Sequence, residues 1–191
     1  AFAGATLTYD HNGNLTNAFE LRKDLYMQDR RQINTNSDSE ILLNVFAQEL
    51  LKQDAFHVRP EDIFAAVEGV HRRCKGAYAV IAMLTRDGLV GFRDPNGIRP
   101  LVYGVREGAH GNEYMLASES VALDAQGYRV VRDIEPGEAI FITQDGKVFT
   151  RQCSDNPRYN TCIFEYVYFA RPDSIIDNVF VHKTRMRMGN K

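Results

Sequence analysis

Residues 11–14, His-Asn-Gly-Asn, place a carboxamide donor beside an unhindered backbone N–H. Two such donors suit a developing oxyanion, because N–H groups fixed in advance stabilise charge that arises only in the transition state. Asn12 and Gly13 would be that pair. The same residues also suit a tight turn, since Asn and Gly tolerate positive φ, and spacing alone leaves both readings open. His11 by itself reads as a packed or hydrogen-bonded histidine rather than a general base. Further along, Ser37-Asp38-Ser39-Glu40 has the S-x-x-E form of a capping box. That role accounts for Ser37 and Glu40 and leaves Asp38 as a carboxylate in a first helical turn. The macrodipole favours it there by about 0.3–1 kcal/mol, and a carboxylate so held can also bind an ammonium group.

The other reactive types say less. Arg93 to Pro100 (RDPNGIRP) reads as a hairpin loop with solvated charge. Phe164 to Phe169 reads as core or domain interface rather than a platform for stacking bases. Arg185 and Arg187 read as a solvated face. Cys74, Cys153 and Cys162 are an odd number without a C-x-x-C pair, so neither a disulfide framework nor a zinc module is expected. No neighbouring base activates any of the three thiols. The histidines at 11, 57, 71, 110 and 182 lack i, i+4 pairing, and no metal site is expected. Glycine-rich phosphate loops are absent.

The elements that carry these residues follow from periodicity. Gly4 to Tyr9 alternates as a strand, and Asp10 to Asn14 reads as a turn cluster. Asn17 and Glu20 resemble a capping pair for a helix running to about Gln28. The Ser37 helix continues through Ile41, Leu42, Val45, Phe46 and Leu50, and Pro60 opens another with Ile63, Ala66, Val67 and Val70. Strands follow at 77–84, 89–93, 101–105, 113–117, 128–132, 138–143 and 147–151, with a short helix near 118–125. Helices first and an antiparallel meander after give an α+β class. Residues 153–160 read as a linker, and 184–191 as a helix cut off soon after it starts. The ragged ends suggest a fragment.

Composition bounds the rest. Of 191 residues, 44% are hydrophobic and 25% charged, which is ordinary globular usage. Lys plus Arg total 23 against 25 Asp plus Glu, a net charge of −2, which excludes a globally basic nucleic-acid binder. No apolar run is long enough to span a membrane and no signal pattern opens the chain, so a soluble, cytoplasmic protein is expected.

Taken together the segments resemble a known family. HNGNLTN (11–17) is similar to the HNGxLxN signature of class II glutamine amidotransferases, and SDSE (37–40) to their S-D-[ST]-E helix start. FRDPNGIRPL (92–101), ASESV (117–121) and FEYVYFARPDS (164–174) resemble the amidophosphoribosyltransferase family more specifically. The resemblance implies an N-terminal-nucleophile hydrolase fold, an αββα sandwich of antiparallel sheets, here incomplete at its N-terminus. It implies a glutaminase domain over 1–152, then a linker and the start of a phosphoribosyltransferase domain over 153–191. It further implies that glutamine is hydrolysed to glutamate and ammonia, which converts phosphoribosyl pyrophosphate to 5-phosphoribosylamine in purine biosynthesis. Asn12 and Gly13 would form the oxyanion hole, and Gly13 and Asp38 would bind glutamine.

The family's nucleophile is an N-terminal cysteine whose own amine is the base. Residue 1 here is Ala, so the 191 residues alone are expected to catalyse neither half-reaction. Magnesium belongs to the family's transferase domain and an iron–sulfur cluster to some members, with Cys162 near one ligand position; neither is expected within these residues. The full-length enzyme is expected to be a homo-oligomer. Two alternatives remain open: the glutaminase domain of another amidotransferase, such as the one making glucosamine 6-phosphate, and a non-catalytic binding module.

Overall fold

The computed structural model describes residues 7–53, 58–109 and 111–190. Residue 1, the start of the first expected strand, His57, His110 and the end of the last expected helix lie outside them. The chain opens with β1 (Leu7–Leu15) and three helices, α1 (Ala18–Met27), α2 (Asp38–Leu51) and α3 (Pro60–Arg73). Next come β2 (Gly76–Leu84), β3 (Gly88–Arg93), β4 (Val102–Gly108), β5 (Gly111–Ala117), α4 (Ser120–Ala125) and β6 (Arg129–Asp133). After β7 (Glu138–Thr143) and β8 (Val148–Gln152), a π-helical turn (Glu165–Phe169), β9 (Ile175–Ile176), β10 (Val179–Phe180) and α5 (Val181–Gly189) complete it.

The strands form two main antiparallel sheets, β1-β2-β3-β7-β8 and β5-β4-β6. Side-chain alternation along single strands sorts the molecule into layers. Phe141 of β7 packs with Phe46 and Val67 of the helices, whereas its neighbours Ile140 and Ile142 pack with Leu101, Tyr103 and Leu116 of the second sheet. Val102 points the other way and packs with Leu123 of α4. The order is therefore α1–α3, five-stranded sheet, three-stranded sheet, α4. Both sheets are covered on both faces, which is why β2 and β7 read as nearly continuous apolar runs.

Six expectations need correcting. Residues 10–14 are not a turn: they continue β1 and pair antiparallel with 81–77 of β2, and Gly13 lies opposite Tyr78. Local φ tolerance was the weaker force, and nine consecutive pairs with β2 decide the segment. The strands are not one meander, because the chain leaves the first sheet after β3, builds the second, and returns with β7 beside β3.

The helix starts also differ in detail. Ser37 caps α2 by accepting from Ser39 N, but Glu40 does not reach back to it and instead accepts from Asn34 N and Thr35 N. Asn17 makes no side-chain cap; it binds Arg73 O and Lys75 N and so ties α1 to the α3–β2 junction. Arg185, expected in solvent, donates to Tyr166 O and Ala170 O.

The RDPNGIRP loop is the largest departure. Arg93 and Asp94 are fully buried. The Asp94 carboxylate accepts from the backbone N–H groups of Tyr78, Asn96, Ile98 and Arg99. Arg93 forks onto Asp177 at 2.7 and 2.9 Å and donates to Gly97 O, Arg99 O and Ile134 O. Burial costs such charges several kcal/mol each, and only this complete pairing makes it tolerable. The loop redirects the chain from the first sheet to the second.

Candidate functional site

The site begins at the outer edge of β1. In an antiparallel strand successive N–H groups point to opposite sides, so residues two apart share a side. Thr16 N donates to Lys75 O, on the side of β2, whereas Leu15 N donates to the Asp38 carboxylate. By this alternation the N–H of Gly13 faces away from β2, on the same edge as that of Leu15. Among the described residues it has no partner. Gly is required there: φ is +150°, and a Cβ would sit 2.0 Å from Ala77 O.

Asn12 stands beside it, half-buried, and its Oδ1 accepts from Arg99 Nη2 at 2.5 Å. A guanidinium carries only donors, so the oxygen end of the carboxamide must face it. The Nδ2 end is then the free one, without a hydrogen-bond partner among the described residues. Asp38, at the start of α2, accepts Leu15 N through Oδ2 at 2.7 Å. Its other oxygen has no partner among the described residues. The structure thus brings Asn12, Gly13 and Asp38 to one edge, the three positions singled out by the sequence.

Around them are groups that spacing did not reveal. His11 Nδ1 lies 3.0 Å from Ser39 Oγ, joining β1 to the first turn of α2, and its Nε2 is buried without a partner among the described residues. Burial lowers the His11 pKa, with Arg99 adding to the effect and Asp38 and Asp10 opposing it. Arg99 pairs with Glu165 at 2.6 Å and lies 5.5 Å from the ring centroid of Phe169. Burial pushes the Glu165 carboxyl up, and Arg99 pulls it back. Asn12, Arg99, Ser118, Glu119, Glu165 and Tyr168 line an open cavity of about 700 Å³. In the sequence Arg99 is only the second arginine of a proline-bounded loop within the FRDPNGIRPL segment, with no role attached. Nothing in spacing ties it to a residue 87 positions earlier.

The thiols take no part in this geometry. Burial pushes the Cys74 and Cys153 thiols up to about 12, which leaves them protonated and inert near neutrality. Cys162 is half-buried and precedes the π-helical turn. No group of three or more His, Cys, Asp or Glu is placed to hold a metal ion among the described residues. No helix among them is long and apolar enough to cross a membrane.

Residues 2–125 match the family model described as a glutamine amidotransferase domain. This chain belongs to that family. It is 59% identical to the amidophosphoribosyltransferase of Pseudomonas aeruginosa and 58% identical to that of Escherichia coli, over 97% of its length in each case. It spans 37% of the length of each of these relatives. The solved glutamine phosphoribosylpyrophosphate amidotransferase from B. subtilis, complexed with ADP and GMP, superposes with a TM-score of 0.81 at 33% identity. That match covers 99% of this chain and 38% of the other. The α+β sandwich of helices and two antiparallel sheets is accordingly the N-terminal-nucleophile hydrolase fold of these enzymes. In this glutamine amidotransferase domain, the edge of β1 is where Asn12 and Gly13 sit.

Proposed function

We propose that this chain forms the glutamine-hydrolysing part of an amidophosphoribosyltransferase, with Asn12 and Gly13 as the oxyanion hole and Asp38 as the ammonium site. In the intact protein the released ammonia converts phosphoribosyl pyrophosphate to 5-phosphoribosylamine, and pyrophosphate leaves. Residues 1–152 make up the glutaminase part, and 153–191 lead into the transferase part. Magnesium belongs to that second part.

One observation carries the reading: two N–H donors, Gly13 N and Asn12 Nδ2, lie at one edge of β1 without partners among the described residues. Asn12 is half-buried and Gly13 is open to solvent, so the couple is fixed by the strand and still reachable by an acceptor that comes and goes. When a nucleophile adds to the glutamine amide carbon, the C=O electron pair moves onto oxygen, and these donors meet the new charge. Collapse returns the electron pair to the C=O bond and breaks the C–N bond, the nitrogen leaves as ammonia with the proton given up by the nucleophile, and water later releases glutamate from the enzyme. The nucleophile in this reading is none of the three cysteines of the chain and comes from outside these residues, which alone are inactive.

The spacing of the edge agrees. Leu15 N, which marks Asp38, lies two residues from Gly13 N, about 7 Å along a strand. In glutamine four bonds separate the α-nitrogen from the amide carbon, an extended span of about 5 Å. One molecule can therefore set its ammonium at Asp38 and its amide oxygen at Gly13. The test is ammonia release from glutamine by the intact protein and its Asn12→Ala variant. Loss of one such donor is expected to lower kcat about 10²–10³-fold; equal rates would reject the reading.

A further inference from the structure

We propose that Arg99 is a positioning residue for amide hydrolysis, acting through Asn12 and held in place by Glu165. The inference rests on the glutamine-hydrolysis reading and extends it to a residue outside the donor pair.

A carboxamide is nearly symmetric in shape, and its two orientations place opposite charge at the same point. With Nδ2 toward the substrate, Asn12 stabilises an oxyanion; with Oδ1 there, it repels one. Arg99 decides between them, because only the oxygen end can lie 2.5 Å from a guanidinium Nη2. The bond does more than orient. A charged donor on Oδ1 draws electron density from the amide, which strengthens Nδ2–H as a donor in turn.

Arg99 is itself fixed from two directions. Its backbone N–H donates to the buried Asp94 carboxylate at 3.1 Å, and its carbonyl accepts from Arg93 Nε at 2.7 Å. Its guanidinium is drawn to Glu165 Oε1 at 2.6 Å, a carboxylate with a 3% exposed side chain. Arg99 Nε meanwhile is buried without a partner among the described residues. The side chain forgoes one hydrogen bond and keeps both terminal contacts, Glu165 on one nitrogen and Asn12 on the other. An arginine placed only to fasten the π-helical turn to the sheets needs the first of these and not the second.

A double-mutant cycle in the intact protein separates the two roles, using kcat and glutamine KM from ammonia release. Arg99→Ala is expected to lower kcat about 10- to 100-fold, less than removal of Asn12 itself, with KM within about threefold. Arg99→Lys keeps one charged donor and is expected to recover part of the loss. In an Asn12→Ala background, Arg99→Ala should cost nothing further, because the residue through which it acts is gone. Losses that multiply in the double variant, a loss confined to KM, or an unchanged kcat in Arg99→Ala would overturn the positioning role. Should Arg99→Ala not fold, Arg99→Lys completes the same cycle. An Asn12→Ala protein with normal kcat would reject the glutamine reading itself; a crippled Asn12→Ala beside a normal Arg99→Ala would reject only this inference.

Discussion

Two polar regions of this molecule lie within one side chain of each other and are built on opposite principles. Around Arg93 and Asp94 both of these charges are buried and every guanidinium donor is used: carboxylate to four N–H groups, guanidinium to Asp177 and three carbonyls. At the edge of β1 Asn12 and Asp38 are half-buried and Gly13 is exposed, and Gly13 N–H, Asn12 Nδ2 and one Asp38 oxygen have no partners among the described residues. Strong charge in the interior therefore marks architecture here, and weaker unsatisfied groups mark chemistry. Arg99 joins the regions, with its backbone in the first and its guanidinium in the second.

The comparison breaks if the wrong region proves structural. Asp94→Ala should cost about 3–5 kcal/mol of folding stability, since it leaves the backbone N–H groups of Tyr78, Asn96, Ile98 and Arg99 without their acceptor. Denaturant titration measures this, and a loss below about 1 kcal/mol would mean that the knot is not what holds the two sheets' connection. Asn12→Ala should do the reverse. Its kcat falls as stated above, about 3–4 kcal/mol in barrier, and its denaturation midpoint stays near that of the parent.

A smaller effect is expected at Asp38. Asp38→Asn keeps an acceptor for Leu15 N–H but loses the charge facing an ammonium. Glutamine KM should rise about 10- to 100-fold, in line with a charge-assisted hydrogen bond of about 1.5–3 kcal/mol, with stability little changed. An unchanged KM would move the ammonium site elsewhere.

The smallest effect concerns pH. His71 Nδ1 lies 2.9 Å from the hydroxyl of Tyr78, the residue opposite Gly13, and burial lowers its pKa to about 4. Below pH 6.5 the unfolded chain binds this proton and the folded one does not, so stability falls as pH drops from about 6.5 towards 4. The loss from this group between pH 7 and 5.5 should be about 1 kcal/mol. Denaturation midpoints at the two pH values measure it, and His71→Gln should flatten the slope.

Legibility in the sequence followed the range of the interactions. Strand β7 is at 138–143 as its apolar run and bounding Pro-Gly and Asp-Gly pairs require, and α3 starts at Pro60, where Asp62 accepts Arg59 N. The HNGN segment misled because Asn and Gly advertise a turn locally, whereas pairing with β2 is set from sixty residues away or more. The knot was invisible for the same reason: Asp177 makes Arg93 an interior residue, and 84 positions separate them. Asn12, Gly13 and Asp38 were legible as residue types able to do this chemistry. Their common edge emerges only from the strand pairing and the Asp38–Leu15 hydrogen bond.

The most direct measurement is a crystal structure of the intact protein carrying an electrophilic glutamine analogue, such as the γ-aldehyde of glutamate, trapped as a tetrahedral adduct. The account predicts its oxygen about 2.7–3.1 Å from both Gly13 N and Asn12 Nδ2, with the α-ammonium against Asp38. An adduct oxygen turned away from the β1 edge, with those two donors still unpaired, would contradict it.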